Sequence, residues 1–135
     1  MHLLCVEDNI LNRLVVKHML DRAGVQMTEA CDAESGLALV AQNDYDVILM
    51  DLRMPGMDGL AAIRLIRARD DAKADAPIIV VTADNAFGIR ERCLEAGADD
   101  VLLKPVAMQA LFDAIGRVLT KGGRRSARWP ARPST

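Results

Sequence analysis

Five side chains in this sequence could do chemistry together, and each stands where an apolar run stops. Glu7 and Asp8 follow His2–Val6, Asp51 closes Val47-Ile48-Leu49-Met50, Thr82 ends the run from Ile78, and Lys104 follows Val101–Leu103. Four apolar residues in a row, as in Val47–Met50, predict a strand buried on both faces, the usual strand of a parallel sheet. Parallel strands share one carboxyl-end edge, which is where open α/β sheets hold their ligands. Three carboxylates on that edge would repel one another unless a cation lay among them. A hard divalent ion with oxygen ligands, most simply Mg²⁺, suits such a set. Lys104 adds a fixed positive charge, and Thr82 a hydroxyl donor for the oxygens of a bound anion. Metal, carboxylate nucleophile and neutralising groups together make the inventory for phosphoryl transfer onto a carboxylate. Taken alone, Asp51 could equally be a strand-ending acid that caps the next turn.

A second group lies at the other end of the chain. Arg124, Arg125, Arg128 and Arg132 surround the one tryptophan, Trp129, and two prolines, Pro130 and Pro133. Arginine grips guanine O6 and N7 bidentately, stacks on a base, or pairs with phosphate. Trp129 offers a further stacking platform. A small ligand with two guanines and two phosphates suits this set. A nucleic acid, another acidic partner, or no ligand at all (a solubilising tail) are the other readings. Duplex DNA is disfavoured, because binding grows with the number of phosphates neutralised and the basic segment is short.

The elements that must position these residues follow in order. His2–Val6 is a strand, and Asn9 caps a helix whose apolar positions are Leu11, Leu14, Val15 and Met19 and which stops at Gly24. Gln26–Ala30 is a weaker strand, and Asp32 opens a helix over Ala33–Ala41. After the central strand, Pro55, Gly56 and Gly59 force a turn. Leu60, Ile63, Leu65 and Ile66 mark a third helix, and Arg67–Asp75 reads as a charged loop. The strand Ile78–Thr82, a helix ending at Gly97, the strand Val101–Leu103 and a helix carrying Met108, Leu111, Phe112, Ile115, Val118 and Leu119 complete the pattern. Strand and helix thus alternate five times. That alternation predicts an α/β domain, a doubly wound parallel sheet with helices on both faces, over residues 1–119. Gly122-Gly123 ends it, and residues 120–135 form a basic extension without apolar period.

Bulk properties narrow the class. Residues 1–119 hold 12 Lys/Arg against 19 Asp/Glu, a net −7, whereas residues 120–135 hold five basic residues and no acid, a net +5. This split suggests two separate jobs. No apolar run approaches the roughly 20 residues that span a bilayer, and a strand beginning almost at Met1 leaves no room for a signal peptide. Three cysteines without metal-like spacing read as buried free thiols in a reducing, cytoplasmic setting.

The motifs Val6-Glu7-Asp8-Asn9, Ile48-Leu49-Met50-Asp51 with Met54-Pro55-Gly56-Met57-Asp58-Gly59, Val80-Val81-Thr82-Ala83, and Lys104-Pro105 resemble those of CheY-like response-regulator receiver domains. The resemblance implies a flavodoxin-like (βα)5 fold with strand order 2-1-3-4-5. It implies that Asp51 accepts a phosphoryl group from a histidine kinase or phosphotransfer protein. It implies Mg²⁺ on Asp8, Asp51 and the backbone carbonyl of Arg53, with Glu7 assisting. Thr82 and Lys104 would bind the phosphoryl oxygens, and the Lys104-Pro105 bond would be cis. Receivers usually place Tyr or Phe three residues before the lysine, where this chain has Val101. A haloacid-dehalogenase-like phosphatase also uses a strand-end aspartate, but needs a second Asp two residues on, where Arg53 stands. The expectation is a phosphoacceptor rather than an enzyme. A receiver with a short arginine-rich extension further resembles the CheY-like cyclic di-GMP effectors. That narrower resemblance implies messenger binding by Arg124, Arg125, Arg128, Trp129 and Arg132. It also implies action at a flagellar motor switch protein, with recruitment to the flagellar pole, in control of motility and attachment.

Overall fold

The computed structural model describes residues 1–121. Five strands alternate with five helices: β1 (His2–Val6), α1 (Ile10–Arg22), β2 (Gln26–Ala30), α2 (Ala33–Gln42), β3 (Val47–Met50), α3 (Gly59–Arg67), β4 (Ile78–Thr82), α4 (Ile89–Ala96), β5 (Asp100–Leu103) and α5 (Met108–Lys121). All strands are parallel, in the order β2-β1-β3-β4-β5. This is the flavodoxin-like architecture that the alternation and the resemblance lead one to expect. The arginine-rich segment, with Arg124, Arg125, Arg128, Trp129 and Arg132, lies outside the described residues.

Strand alternation divides the core in two. Leu4, Val6, Ile48, Met50, Ile78 and Val80 face α2, α3 and α4. Leu3, Cys5, Val47, Leu49, Ile79 and Val81 face α1 and α5. Every residue of β3 and β4 is buried, which explains why Val47–Met50 and Ile78–Val81 are apolar without interruption. β2 lies on an edge and mixes Gln26 and Glu29 with partly buried side chains. Helix starts are held by side-chain caps: Asn9, Asp32 and Asp58 accept from the backbone amides of Asn12, Ser35 and Ala61. Each such cap typically contributes about 1 kcal/mol.

Three sequence expectations need correction. The inward face of α1 is Val16 and Leu20, while Leu11, Leu14 and Val15 are 67%, 47% and 51% exposed. The helix carries two apolar stripes, and only one can meet the sheet. The loop after α3 contains a short 3-10 turn, Ala72–Asp75, opened by Asp71. Arg67 braces that connection by donating to the carbonyls of Ala74, Ala76 and Gly97 and to Asp99. Of the three free cysteines, Cys5 and Cys93 are buried but Cys31 is exposed. Burial pushes the Cys5 thiol up to about 12.

β5 begins one residue earlier than its apolar pattern, at Asp100, a carboxylate only 6% exposed. Arg90 of α4 reaches one oxygen at 3.1 Å and Arg117 of α5 the other at 2.9 Å. Burial works against the charge, but the Arg117, Val101-amide and Arg90 hydrogen bonds outweigh it and hold the carboxyl below its ordinary 3.8. A depressed value stabilises the fold above that pH, and the contribution is lost as pH falls through the lowered value. Replacing Arg90 and Arg117 together by Ala should therefore cost about 1.5–3 kcal/mol at pH 7. The difference from the parent should shrink in denaturation series run at progressively more acid pH.

Candidate functional site

Strand register builds the site. Val6 pairs with Met50, so the residues that follow them, Glu7 and Asp51, emerge side by side. The Asp51 amide donates to the Val6 carbonyl at 3.0 Å, and the Glu7 amide to Ala30 at 3.0 Å, which carries the ladder one residue past each strand. Met50 pairs with Val80 and Thr82 with Leu103, which brings Thr82 and Lys104 to the same edge. The Lys104 amide donates to the Thr82 carbonyl at 2.8 Å. All five residues singled out in the sequence therefore meet around one cavity of about 420 Å³.

Glu7, Asp8 and Asp51 each present a carboxylate oxygen, and those oxygens lie within 4.8 Å of one another. Glu7 and Asp51 are buried, 5% and 6% exposed, while Asp8 is open to solvent. Three hard oxygen donors at this spacing fit Mg²⁺, with water completing the shell. The Lys104 ammonium lies between two of them, 2.5 Å from Glu7 and 3.4 Å from Asp51. Burial disfavours its charge, but the Glu7 hydrogen bond and the Asp51 and Glu7 carboxylates prevail and hold the ammonium above 10.5. Desolvation, a hydrogen bond to Glu7 and the Glu7 charge push the Asp8 carboxyl above 3.8. A cation with a stronger field would relieve that crowding.

The surrounding groups are aimed by local hydrogen bonds. Thr82 is buried, and its Oγ1 accepts from the Asp84 amide at 3.1 Å, which leaves the hydroxyl proton free to donate elsewhere. Across the mouth, Arg53 donates to Asp84 at 2.5 Å, with the arginine 77% exposed and the Asp84 side chain 9%. Amide donation from Ala86 and the Arg53 hydrogen bond hold the Asp84 carboxyl below its usual range. Beneath Asp51 the chain turns sharply into α3. A Cβ on Gly59 would lie 2.2 Å from the Asp51 carbonyl oxygen and 2.9 Å from Leu52 Cα, so only glycine fits there. The Lys104-Pro105 bond is cis.

Some lining residues carry no sequence signal. Asn12 and Asn85 wall the cavity, and Arg13 donates to the Glu7 carbonyl at 2.6 Å. A polar residue on a helix near a strand end looks like any solvated position until the fold places it. Val101, where receivers usually carry an aromatic ring, is partly buried and packs against the α2–α3–α4 side of the core.

Comparison with known proteins agrees with this geometry. The family model described as the response regulator receiver domain matches residues 3–116. The solved receiver domain of a sensor histidine kinase from Pseudomonas aeruginosa PAO1 has a magnesium ion coordinated in its active site cleft. It is 38% identical, with a TM-score of 0.80 over 88% of this chain and 97% of that one. Chemotaxis protein CheY4 of Vibrio cholerae gives 29% identity and a TM-score of 0.80 over 87% and 98% of the two chains. Among curated relatives, hybrid signal transduction histidine kinase G of Dictyostelium discoideum is 37% identical over 85% of this chain but only 3% of its own length. Transcriptional regulatory protein AfsQ1 of Streptomyces coelicolor is 37% identical over 92% of this chain and 53% of its own. The chain thus spans about half or much less of these curated relatives. A match over residues 3–116, on a parallel sheet whose carboxyl edge gathers Glu7, Asp8, Asp51, Thr82 and Lys104, places this chain in the response regulator receiver domain family.

Proposed function

We propose that the chain is a phosphorelay signalling effector in which Asp51 accepts the phosphoryl group and the arginine-rich extension binds cyclic di-GMP. The observation that carries the first half is the convergence of three carboxylates, one ammonium and one hydroxyl around Asp51. An Asp51 oxygen attacks the phosphorus of a donor phosphohistidine, the P–N bond breaks, and an acyl phosphate forms on Asp51. Asp8, Asp51 and the Arg53 carbonyl, with Glu7 assisting, would hold Mg²⁺. When bound, the metal neutralises charge developing on the transferring oxygens. Lys104 leaves its carboxylate partners to pair with one phosphoryl oxygen, and Thr82 donates to another. In this reading the domain carries a signal as a phosphoacceptor.

The Arg53–Asp84 pair closes the mouth through which water would reach the acyl phosphate. Replacing both by Ala should shorten the lifetime of the phosphorylated form. With the Arg53 side of the pair exposed and screened by solvent, hydrolysis should quicken by no more than roughly fivefold. An unchanged or longer lifetime, read by loss of radiolabel, would count against the gate.

The second half is supported by composition: four arginines and one tryptophan within residues 124–132. Arginines three and four apart can bracket stacked guanines while neutralising two phosphates. By resemblance, the output would be docking at a flagellar motor switch protein. Calorimetric titration with cyclic di-GMP separates this reading from an ordinary receiver with an inert tail. The full chain should bind with micromolar to high-nanomolar affinity, and a chain ending at Leu119 should not bind. Arg128→Ala should cost at least about 1–3 kcal/mol, the worth of one bidentate base contact. Cyclic di-AMP should compete poorly, because adenine has an amino donor where guanine has O6. Equal competition, or binding that survives the truncation, would reduce the protein to an ordinary receiver.

A further inference from the structure

Beside the acidic pocket, and sharing Glu7, Asp51 and Lys104 with it, lies a second cavity of about 390 Å³. Its walls are apolar: Val15 and Val16 of α1, Leu49 and Val81 of the sheet, and Pro105 and Val106 of the turn before α5. On α1 the apolar surface continues outward through Ile10, Leu11 and Leu14, which are 68%, 67% and 47% exposed. Exposed apolar surface of this kind, continuous with a cavity, marks an interaction site. At its inner rim the cavity also meets the polar side chains of Glu7, Asn12 and Asp51.

We propose that the C-terminal extension folds back over α5 and seats Trp129 of the same chain in this cavity. Three observations select that occupant. The first is reach. α5 has 14 residues and starts three residues after Pro105, so its far end lies about 21 Å from the cavity at 1.5 Å per residue. Residues 122–129 extend to about 26 Å at 3.3 Å per residue, enough to return along the helix. Gly122 and Gly123 stand where the chain must reverse, and neither opposes a reversal with a Cβ. The second is shape and polarity. An indole has a large apolar body and one N–H, and this cavity offers apolar walls with oxygen acceptors at one rim. The third is charge. The flanking Arg128 and Arg132 would come to rest near Glu7, Asp8 and Asp51, of which Lys104 pairs with Glu7 and Asp51. The net +5 of residues 120–135 would then face the net −7 of residues 1–119. This holds whether or not the same residues bind a nucleotide.

Trp129 is the one tryptophan of the chain, so its fluorescence reads the contact directly. The probe is the indole itself, in the full chain, with a peptide of residues 120–135 as the free reference. The full chain should emit to the blue of the peptide and be quenched by acrylamide at least threefold less. Val15→Asp, at a half-exposed helix position, should restore the peptide-like emission while circular dichroism stays that of the parent. A second variant lacking Gly122 and Gly123 loses about 7 Å of reach and should expose the indole without touching the domain. Peptide-like emission from the full chain would overturn the proposal, as would blue emission that persists in Val15→Asp. Protection that disappears on dilution would mean that a second copy supplies the tryptophan, and would overturn the intramolecular contact.

Discussion

Asp51→Asn should take up no phosphoryl group from acetyl phosphate in the presence of Mg²⁺, under conditions in which the parent chain is labelled. The amide keeps the shape of the carboxylate but is not a nucleophile, so no acyl phosphate can form on it. No other carboxylate is placed to substitute. Glu7 is committed to Lys104 at 2.5 Å and accepts from the Asn9 amide, and Asp8 is open to solvent at the rim. Phosphorylation on a neighbouring acid would appear as label that survives the change, and would refute Asp51 as the acceptor. The same substitution removes one of three crowded carboxylates while Lys104 keeps Glu7 as a partner. Its thermal midpoint should therefore equal or exceed that of the parent. A loss of label together with a lowered midpoint would point instead to a misfolded site.

Asp8→Asn should weaken Mg²⁺ binding by at least about tenfold, roughly 1.4 kcal/mol, as read by calorimetric titration of the metal. Asp8 is the one carboxylate of the three that makes no ion pair with the Lys104 ammonium. Its charge is therefore available to a metal at the least cost. Desolvation and Glu7 already hold its carboxyl above the usual value, a sign of crowded negative charge. Removing that charge should relieve the pocket and stabilise the metal-free protein while crippling its response to Mg²⁺. If Asn at this position binds Mg²⁺ as tightly as Asp, the metal does not sit on this edge.

How far the sequence foretold this protein varies with the physical origin of each feature. β3 and β4 were legible because a strand buried on both faces must be apolar throughout, and few other local structures leave that mark. The site was legible because polar groups that interrupt such runs must lie at strand ends, and parallel strands bring those ends together. The orientation of α1 was not. Leu11, Leu14 and Val15 make as good an apolar stripe as Val16 and Leu20, and only the packing of the finished sheet chooses between them. Asp100 was missed for a related reason. A charged residue at a strand start looks like loop, and nothing local reveals that arginines 10 residues before it and 17 after it will meet there. The Lys104–Glu7 contact is likewise invisible, since composition says that a lysine is near the acids but not which acid it holds.

That last contact joins positions 97 residues apart, the end of the first strand and the end of the fifth. Contacts so distant in sequence form only after the intervening chain has closed up, because loop-closure entropy opposes them until the rest of the sheet is in place. A chain with β1 and β3 paired but β5 not yet in place would thus display Asp51 without the Lys104 ammonium beside it. On the proposed role of Lys104, competence to receive a phosphoryl group would await β5. The wiring of the site therefore acts as an assembly check, making a half-built domain deaf to its phosphodonor.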